Sequence, residues 1–306
     1  MNDSPLIVIL GATAMGKTKV AVQVASLIGG EIISADSRQI FRGMNIGTGK
    51  DYHDYLIDDH EMPCHLIDIH EPGDTYNVYR FQKDFGTAYE DIMERGEKVI
   101  LCGGTGLYIQ AVLENFTLTS IPSEETQRKT LLEKTKEELI VQVEGYHFPE
   151  GFQPDISSKK RLVRAIEIGE YLKSNPLSEN ITANLNYVIF GISAERETRR
   201  QRITERLKNR MEIGLIDEVR QLIEGGIEPE LLRFYGLEYR YVADHLEGIL
   251  NEKELFEKLE VAIHQFSKRQ MTWFRKMERE GYIINWIDVE LPLENKVRII
   301  VDNCCG

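Results

Sequence analysis

The residues best able to do chemistry stand near the start of the chain, in the run GATAMGKT. Gly11, Ala12, Thr13, Ala14, Met15, Gly16, Lys17 and Thr18 satisfy every defined position of G-x-x-x-x-G-K-[ST], the phosphate-binding loop. Glycines let backbone N–H groups turn inward around an anion, a following helix adds partial positive charge at its N-terminus, and Lys17 supplies a mobile full charge. The Thr18 hydroxyl can reach a Mg²⁺ ion carried by the phosphates. The loop predicts a phosphate or diphosphate ligand without saying which compound binds or whether phosphoryl transfer follows. Most owners of this loop bind nucleoside triphosphates and place an Asp at the end of a second strand to help hold Mg²⁺. The candidate here is Asp68 in HLIDI, where an aliphatic residue follows inside the expected strand; the alternative is an acid paired with a neighbour.

Two further segments carry polar residues where strands should end. Asp36, in ADSRQ, is a lone carboxylate placed where a base could meet an incoming nucleophile, although such acids also serve as caps bonded to backbone amides. Thr105, in CGGTG, brings a hydroxyl and bare backbone amides toward a ligand together, although a plain strand-to-helix turn would favour the same residues.

These side chains need elements to hold them. LIVIL, residues 6–10, is a continuous β-branched run ended by Gly11, as expected of a strand buried on both faces of a parallel sheet, and a helix should follow from Lys17 to Ile28. Further apolar runs at Ile32–Ser34, Leu66–Ile69, Val99–Cys102 and Tyr187–Ile192 complete the rhythm of a doubly wound α/β fold with a P-loop NTPase-like parallel sheet core. Ligands of such sheets bind outside the carboxyl ends of the strands, which puts Asp36 and Thr105 on the rim of the phosphate loop. Between Thr119 and Asn186 the pattern becomes polar and helical. The expected division is therefore a core of residues 1–118 and 187–306, with helices at its C-terminal end, and a helical insertion of residues 119–186. From Glu195 a helical run with Ile203, Leu207, Met211, Leu215, Val219 and Leu222 on one face ends at Gly225 and Gly226, and a second helix spans Glu252 to Glu280.

The chain has 306 residues and a formal net charge of -13, so attraction of the whole surface to phosphate or anionic lipid is excluded. Any nucleic-acid contact must come from a local patch. Between Asp155 and Arg210 there are 12 basic residues against 7 acidic ones, enough for such a patch or for a solvated helix face. The cysteines Cys64, Cys102, Cys304 and Cys305 lack metal-ligand spacing, which predicts a reducing, cytoplasmic setting. The first apolar run follows no Lys or Arg and is too short for a bilayer span, so neither a signal peptide nor a membrane helix is expected.

GATAMGKT, DSRQIFRGMNIGTGK, GGTGLYIQAVLE, KRLVRAIEI, QRITERL and SKRQMTWFR occur in this order. In this the chain resembles the bacterial tRNA dimethylallyltransferases, which prenylate adenosine at position 37 of tRNA; the resemblance extends from about Ile7 to Trp286. It implies a phosphate loop that holds the diphosphate of dimethylallyl diphosphate with Mg²⁺, and the anticodon stem-loop of tRNA as partner. By motif it makes Asp36 the general base and Thr105 the hydroxyl on the oxygen bridging prenyl and diphosphate. Lys17 and Arg206 become the cations that neutralise the leaving diphosphate. The tRNA would be met by Asp36, Ser37, Arg38 and Gln39, by Lys160, Arg161, Leu162, Val163 and Arg164, by Arg240, and by Lys268, Arg269 and Gln270. Two segments depart from the family pattern. The usual GTAKP reads Gly47-Thr48-Gly49-Lys50-Asp51, and the usual R-x-x-G-Y-R reads RFYGLEYR, residues 233–240, which loosens the placement of Arg240. The chain is expected to act as a monomer. The alternative reading is a P-loop kinase of a nucleoside or small metabolite, with the insertion as a lid.

Overall fold

The computed structural model describes residues 4–57, 60–149, 152–175 and 185–304. The chain forms two compact units, one of Met1–Leu113 with Asn184–Gly306 and one of Glu114–Ala183.

In the first unit the LIVIL run becomes β1 (Leu6–Gly11), buried along its whole length, and the phosphate loop leads into α1 (Lys17–Ile28). Then come β2 (Gly30–Ser34), a two-residue antiparallel pair, β3 (Leu56–Ile57) with β4 (His60–Glu61), and β5 (Cys64–His65). A long helix α2 (Val78–Glu94), capped by Asn77, precedes β6 (Lys98–Gly103) and α3 (Gly106–Leu113).

The second unit contains α4 (Glu125–Glu133), α5 (Lys136–Glu144), with Thr135 and Glu138 in a capping box, and α6 (Lys159–Leu172). Its core joins Leu131, Leu139 and Val143 to Leu162, Val163, Ala165 and Ile166 of α6.

The chain re-enters the first unit through β7 (Tyr187–Ser193). Helices α7 (Arg196–Glu212), α8 (Leu215–Glu224), α9 (Pro229–Leu232), α10 (Leu237–Leu246) and α11 (Glu252–Arg279) follow, and β8 (Ile284–Asp288) and α12 (Leu293–Cys304) end the described chain. Among the described residues six strands form one sheet in the order β5-β2-β6-β1-β7-β8, every neighbouring pair parallel. Its core joins the aliphatic strand residues to the buried rings of Phe81, Phe85, Phe190 and Phe274, and β1 at the centre places the phosphate loop between the ends of β6 and β7.

Two expectations need correction, and one strand is added. Leu66–Ile69 is not a strand, because Leu66 (φ 62°) and Asp68 (φ 54°) take left-handed conformations that break an extended run. The sheet position belongs instead to β5, just upstream, paired with Ile32 and Ile33. The helical run after Glu195 is two helices, because Gly214 (φ 107°) turns the chain between α7 and α8. The edge strand β8 had not been anticipated; it pairs Ile284–Asp288 with Ile189–Ser193. No helix among the described residues is long and apolar enough to cross a membrane.

Candidate active site

At the carboxyl ends of β1, β2 and β6 lies a cavity of about 830 Å³, built wholly within the first unit. The phosphate loop forms one wall. Ala14 (φ 64°) and Gly16 (φ 69°) both adopt left-handed backbone, and alternation of hand along such a loop turns successive N–H groups toward one centre. Gly11, Ala12 and Met15 support this from below: Gly11 lies against the carbonyl of Ile192, while Ala12 and Met15 are buried. The Lys17 ammonium donates to the Ala12 carbonyl at 2.9 Å. Burial holds its pKa below the ordinary lysine value, opposed by Cys102 and the Asp36 carboxylate and reinforced by the Arg206 guanidinium; Lys17, Asp36 and Arg206 all line the cavity.

The second wall is the end of β2. Asp36 Oδ1 accepts from the Arg38 backbone N–H at 2.9 Å, the cap geometry that its position suggested, and the residue also lines the cavity. Thr105, after β6, meets the same turn: its hydroxyl oxygen accepts from Ser37 N–H at 3.1 Å, and its own N–H donates to the Ala35 carbonyl at 3.2 Å. Asp36 and Thr105, 69 positions apart in the sequence, are thus brought to one rim.

The third wall is α7. Arg202, Arg206 and Arg210 recur every four residues and therefore share one helix face, and all three line the cavity. Arg202 Nε donates to the Ala14 carbonyl at 3.1 Å. Arg206 approaches Thr13 Oγ1 at 3.4 Å and pairs with Asp51 at 2.9 Å. Arg210 is buried, pairs with Glu238 at 2.9 Å, and its Nε has no hydrogen-bond partner among the described residues. Burial, then the neighbouring Arg206, pushes its pKa down to about 10, which leaves it charged at neutral pH. The two guanidinium groups fit because residue 49 is glycine: a Cβ there would collide with both, and its φ of 72° is itself unfavourable to other residues.

The Asn45–Gly49 loop carrying this contact is tied down from several sides. One carboxylate, Glu218 of α8, accepts from the backbone N–H of Asn45, Ile46 and Gly47 at 2.7–3.0 Å and from the buried Tyr239 hydroxyl at 2.7 Å. Lys50 is buried and donates to Asp68 Oδ1 at 2.5 Å and to the Phe41 carbonyl. Asp68 is therefore the partner of a lysine and does not line the cavity, which removes it as a metal helper.

Of the remaining residues singled out in the sequence, Ser37, Arg38, Arg240 and Arg269 line the cavity, and Lys268 is exposed on α11. Gln39 and Gln270 also line it, but both ends of each amide are engaged within the protein. Gln39 accepts from Ser34 and donates to the Gly49 carbonyl; Gln270 accepts from the Thr13 N–H and donates to the Gly104 carbonyl, each at 2.9 Å. Lys160, Arg161, Leu162, Val163 and Arg164 belong to the other unit. Lys160 and Arg161 are exposed. Leu162 and Val163 are 0% and 1% exposed and pack its core, which withdraws their side chains from any RNA contact. Arg164 donates to the Leu118 and Ile121 carbonyls at 3.1 and 2.8 Å and pairs with buried Glu167. Sequence reasoning missed Asp51, Arg202 and Arg210; the four-residue spacing of the arginines was the available signal.

Residues 39–277 match the IPP transferase family, and residues 4–60 match the isopentenyl transferase family. A tRNA dimethylallyltransferase 2 of Bacteroides fragilis is 48% identical, over 98% of this chain and 98% of its own length. The chain belongs to the tRNA dimethylallyltransferase family. The crystal structure of a full-length family member, the tRNA isopentenylpyrophosphate transferase of Bacillus halodurans, is similar with a TM-score of 0.70 at 31% identity, covering 98% of this chain and 95% of that one. A eukaryotic dimethylallyltransferase acting on tRNA shares the fold, with a TM-score of 0.72 at 23% identity over 93% of this chain and 73% of that one.

Proposed function

We propose that this chain transfers the dimethylallyl group of dimethylallyl diphosphate to the exocyclic amine of adenosine 37 in the tRNA anticodon loop, giving N6-dimethylallyladenosine and diphosphate. The observation that carries this reading is the gathering, in one cavity, of a carboxylate and a hydroxyl on one rim and of Lys17 and Arg206 on the phosphate side. The adenine amine is a weak nucleophile because its lone pair is delocalised into the ring, so the transfer needs help at both ends. As nitrogen bonds to the allylic carbon, the carbon–oxygen bond to diphosphate breaks and the amine proton passes to Asp36. In this reading Thr105 turns its hydroxyl to donate to the bridging oxygen, while Lys17, Arg206 and the loop amides stabilise the departing charge.

Magnesium fits this arrangement. The Thr18 hydroxyl and the Asp54 carboxylate, itself paired with Lys19 at 3.3 Å, line the cavity beside the loop. That suits a hard cation bound mainly through phosphate oxygens and water. When bound, Mg²⁺ would supply further neutralisation of the diphosphate.

The acceptor base must leave its stack to reach Asp36, at a cost of a few kcal/mol. Arg38, Arg240, Arg269 and Lys268 on the first unit, and Lys160 and Arg161 on the second, are the cations assigned to the tRNA backbone. The reading also takes the chain to act as a monomer in the cytoplasm, where unmodified tRNA is available. The test is incubation with dimethylallyl diphosphate, Mg²⁺ and either unmodified tRNA or AMP, followed by mass measurement of both acceptors and a parallel assay of ATP turnover. Gain of one dimethylallyl group by tRNA is expected. Turnover of ATP with no change in tRNA would replace this reading with a kinase.

A further inference from the structure

The ion pair between Arg206 and Asp51 sets an anion of the protein against the anion the cavity is read to bind. Arg206 Nη2 lies 2.9 Å from Asp51 Oδ2, while Nη1 of the same guanidinium lies 3.4 Å from Thr13 of the phosphate loop. Both side chains are about one-third exposed and line the cavity, so a ligand on the loop reaches the same fork. Among the described residues the Asp51 carboxylate pairs with Arg206, and its charge also favours the buried Arg210 guanidinium. Asp51 precedes the short 3₁₀ turn Tyr52–Tyr55 but makes no capping hydrogen bond to it. Its backbone position is nonetheless fixed, because Lys50 beside it is buried and anchored, and Gly49 is packed under two guanidinium groups. The neighbouring Arg210 has its own internal carboxylate in Glu238, so competition for Arg206 falls on Asp51.

We propose that Asp51 is a built-in competitor for Arg206, a carboxylate that diphosphate must displace from the guanidinium, and that it thereby weakens the hold on diphosphate and speeds release of the product. The proposal rests on the reading of the cavity as a diphosphate site. A guanidinium fork can hold one carboxylate or one phosphate edge bidentately, and two anions at one fork repel each other.

The experiment is calorimetric titration of the full chain with inorganic diphosphate and Mg²⁺, with diphosphate inhibition of prenyl transfer measured alongside. Asp51→Asn should bind diphosphate about tenfold more tightly, about 1.4 kcal/mol, and should be inhibited by it at correspondingly lower concentration. Asp51→Glu keeps the charge and should stay near the unsubstituted protein. With Arg206→Ala in place the Asn substitution has lost its target, and its effect should shrink to under about threefold. If Asp51 merely positions Arg206, or ligates Mg²⁺, Asp51→Asn would bind diphosphate no more tightly or less tightly, and that result overturns the proposal while leaving the site assignment standing. Absence of diphosphate binding by the unsubstituted protein would overturn the site assignment and the proposal together.

Discussion

Gln270→Met tests whether α11 reads RNA at this position or holds the active site together. The side chain is 8% exposed, and its two hydrogen bonds join the phosphate loop at Thr13 to the β6 turn at Gly104. Methionine keeps the length and bulk but leaves one N–H and one carbonyl without their partner. A buried group so orphaned costs about 1–3 kcal/mol. Both groups stand in the cavity wall, where water can reach them, so a total of about 2 kcal/mol is expected. With an unfolding entropy of about 2.1 cal/mol/K per residue, that corresponds to a fall in Tm of roughly 3 °C for this chain. The effect on chemistry should be larger if the loop binds diphosphate as proposed, since the Thr13 amide is one of its N–H groups: kcat/KM for the prenyl donor should fall about ten- to a hundredfold. Affinity for tRNA should not change. The assays are thermal unfolding, single-turnover prenylation over a range of donor concentration, and tRNA binding by anisotropy. A tenfold loss of tRNA affinity with donor use and Tm intact would refute this reasoning and restore Gln270 as an RNA contact.

Asp36→Asn keeps the cap to Arg38 N–H but cannot take a proton; single-turnover prenylation should fall by about two to four orders of magnitude with tRNA and donor still bound, and an unimpaired rate would remove Asp36 from the mechanism. Lys17→Met should lower donor use on the order of a hundredfold yet raise Tm at pH 7. The sign follows from burial, which holds the folded-state pKa of Lys17 below its ordinary 10.5, so the charged lysine opposes folding below the folded pKa and this penalty fades as pH rises to 10.5. A Tm gain that grew between pH 7 and 10.5 would contradict the burial argument. Reversal of Lys160 and Arg161 to Glu, sparing Arg164 because its guanidinium holds the Leu118–Ile121 turn, should weaken tRNA binding and flatten its salt dependence without touching diphosphate binding. Equal tRNA affinity at low salt would make those residues a solvated helix face.

The phosphate loop, its flanking strand and helix, and the parallel α/β core could be read from the sequence because each is encoded locally. A β-branched run ended by Gly11, a glycine at Gly16 and the periodicity of Lys17–Ile28 specify their conformations without reference to distant residues. Asp36 and Thr105 were legible for a related reason, since residues at strand ends of a parallel sheet share one rim. Local pattern failed where a few backbone angles outweighed composition. Leu66 and Asp68 are apolar-run residues in left-handed conformations, and their turn is held by the Lys50–Asp68 pair, which has no local signature.

What only the tertiary structure decided is which polar side chains face the cavity freely and which are engaged across it. Gln270 and Gln39 look like RNA contacts in a motif, yet their amides bridge segments up to 257 residues apart. Leu162 and Val163 sit among basic residues but on the inner face of α6. Arg206 was identifiable as a cation; its carboxylate partner Asp51 lies 155 positions away and was invisible until the chain folded. Hydrogen-bond and charge pairing act through space over a few ångströms, whereas sequence spacing reports only neighbours along one element, so the elements were legible and the wiring between them was not.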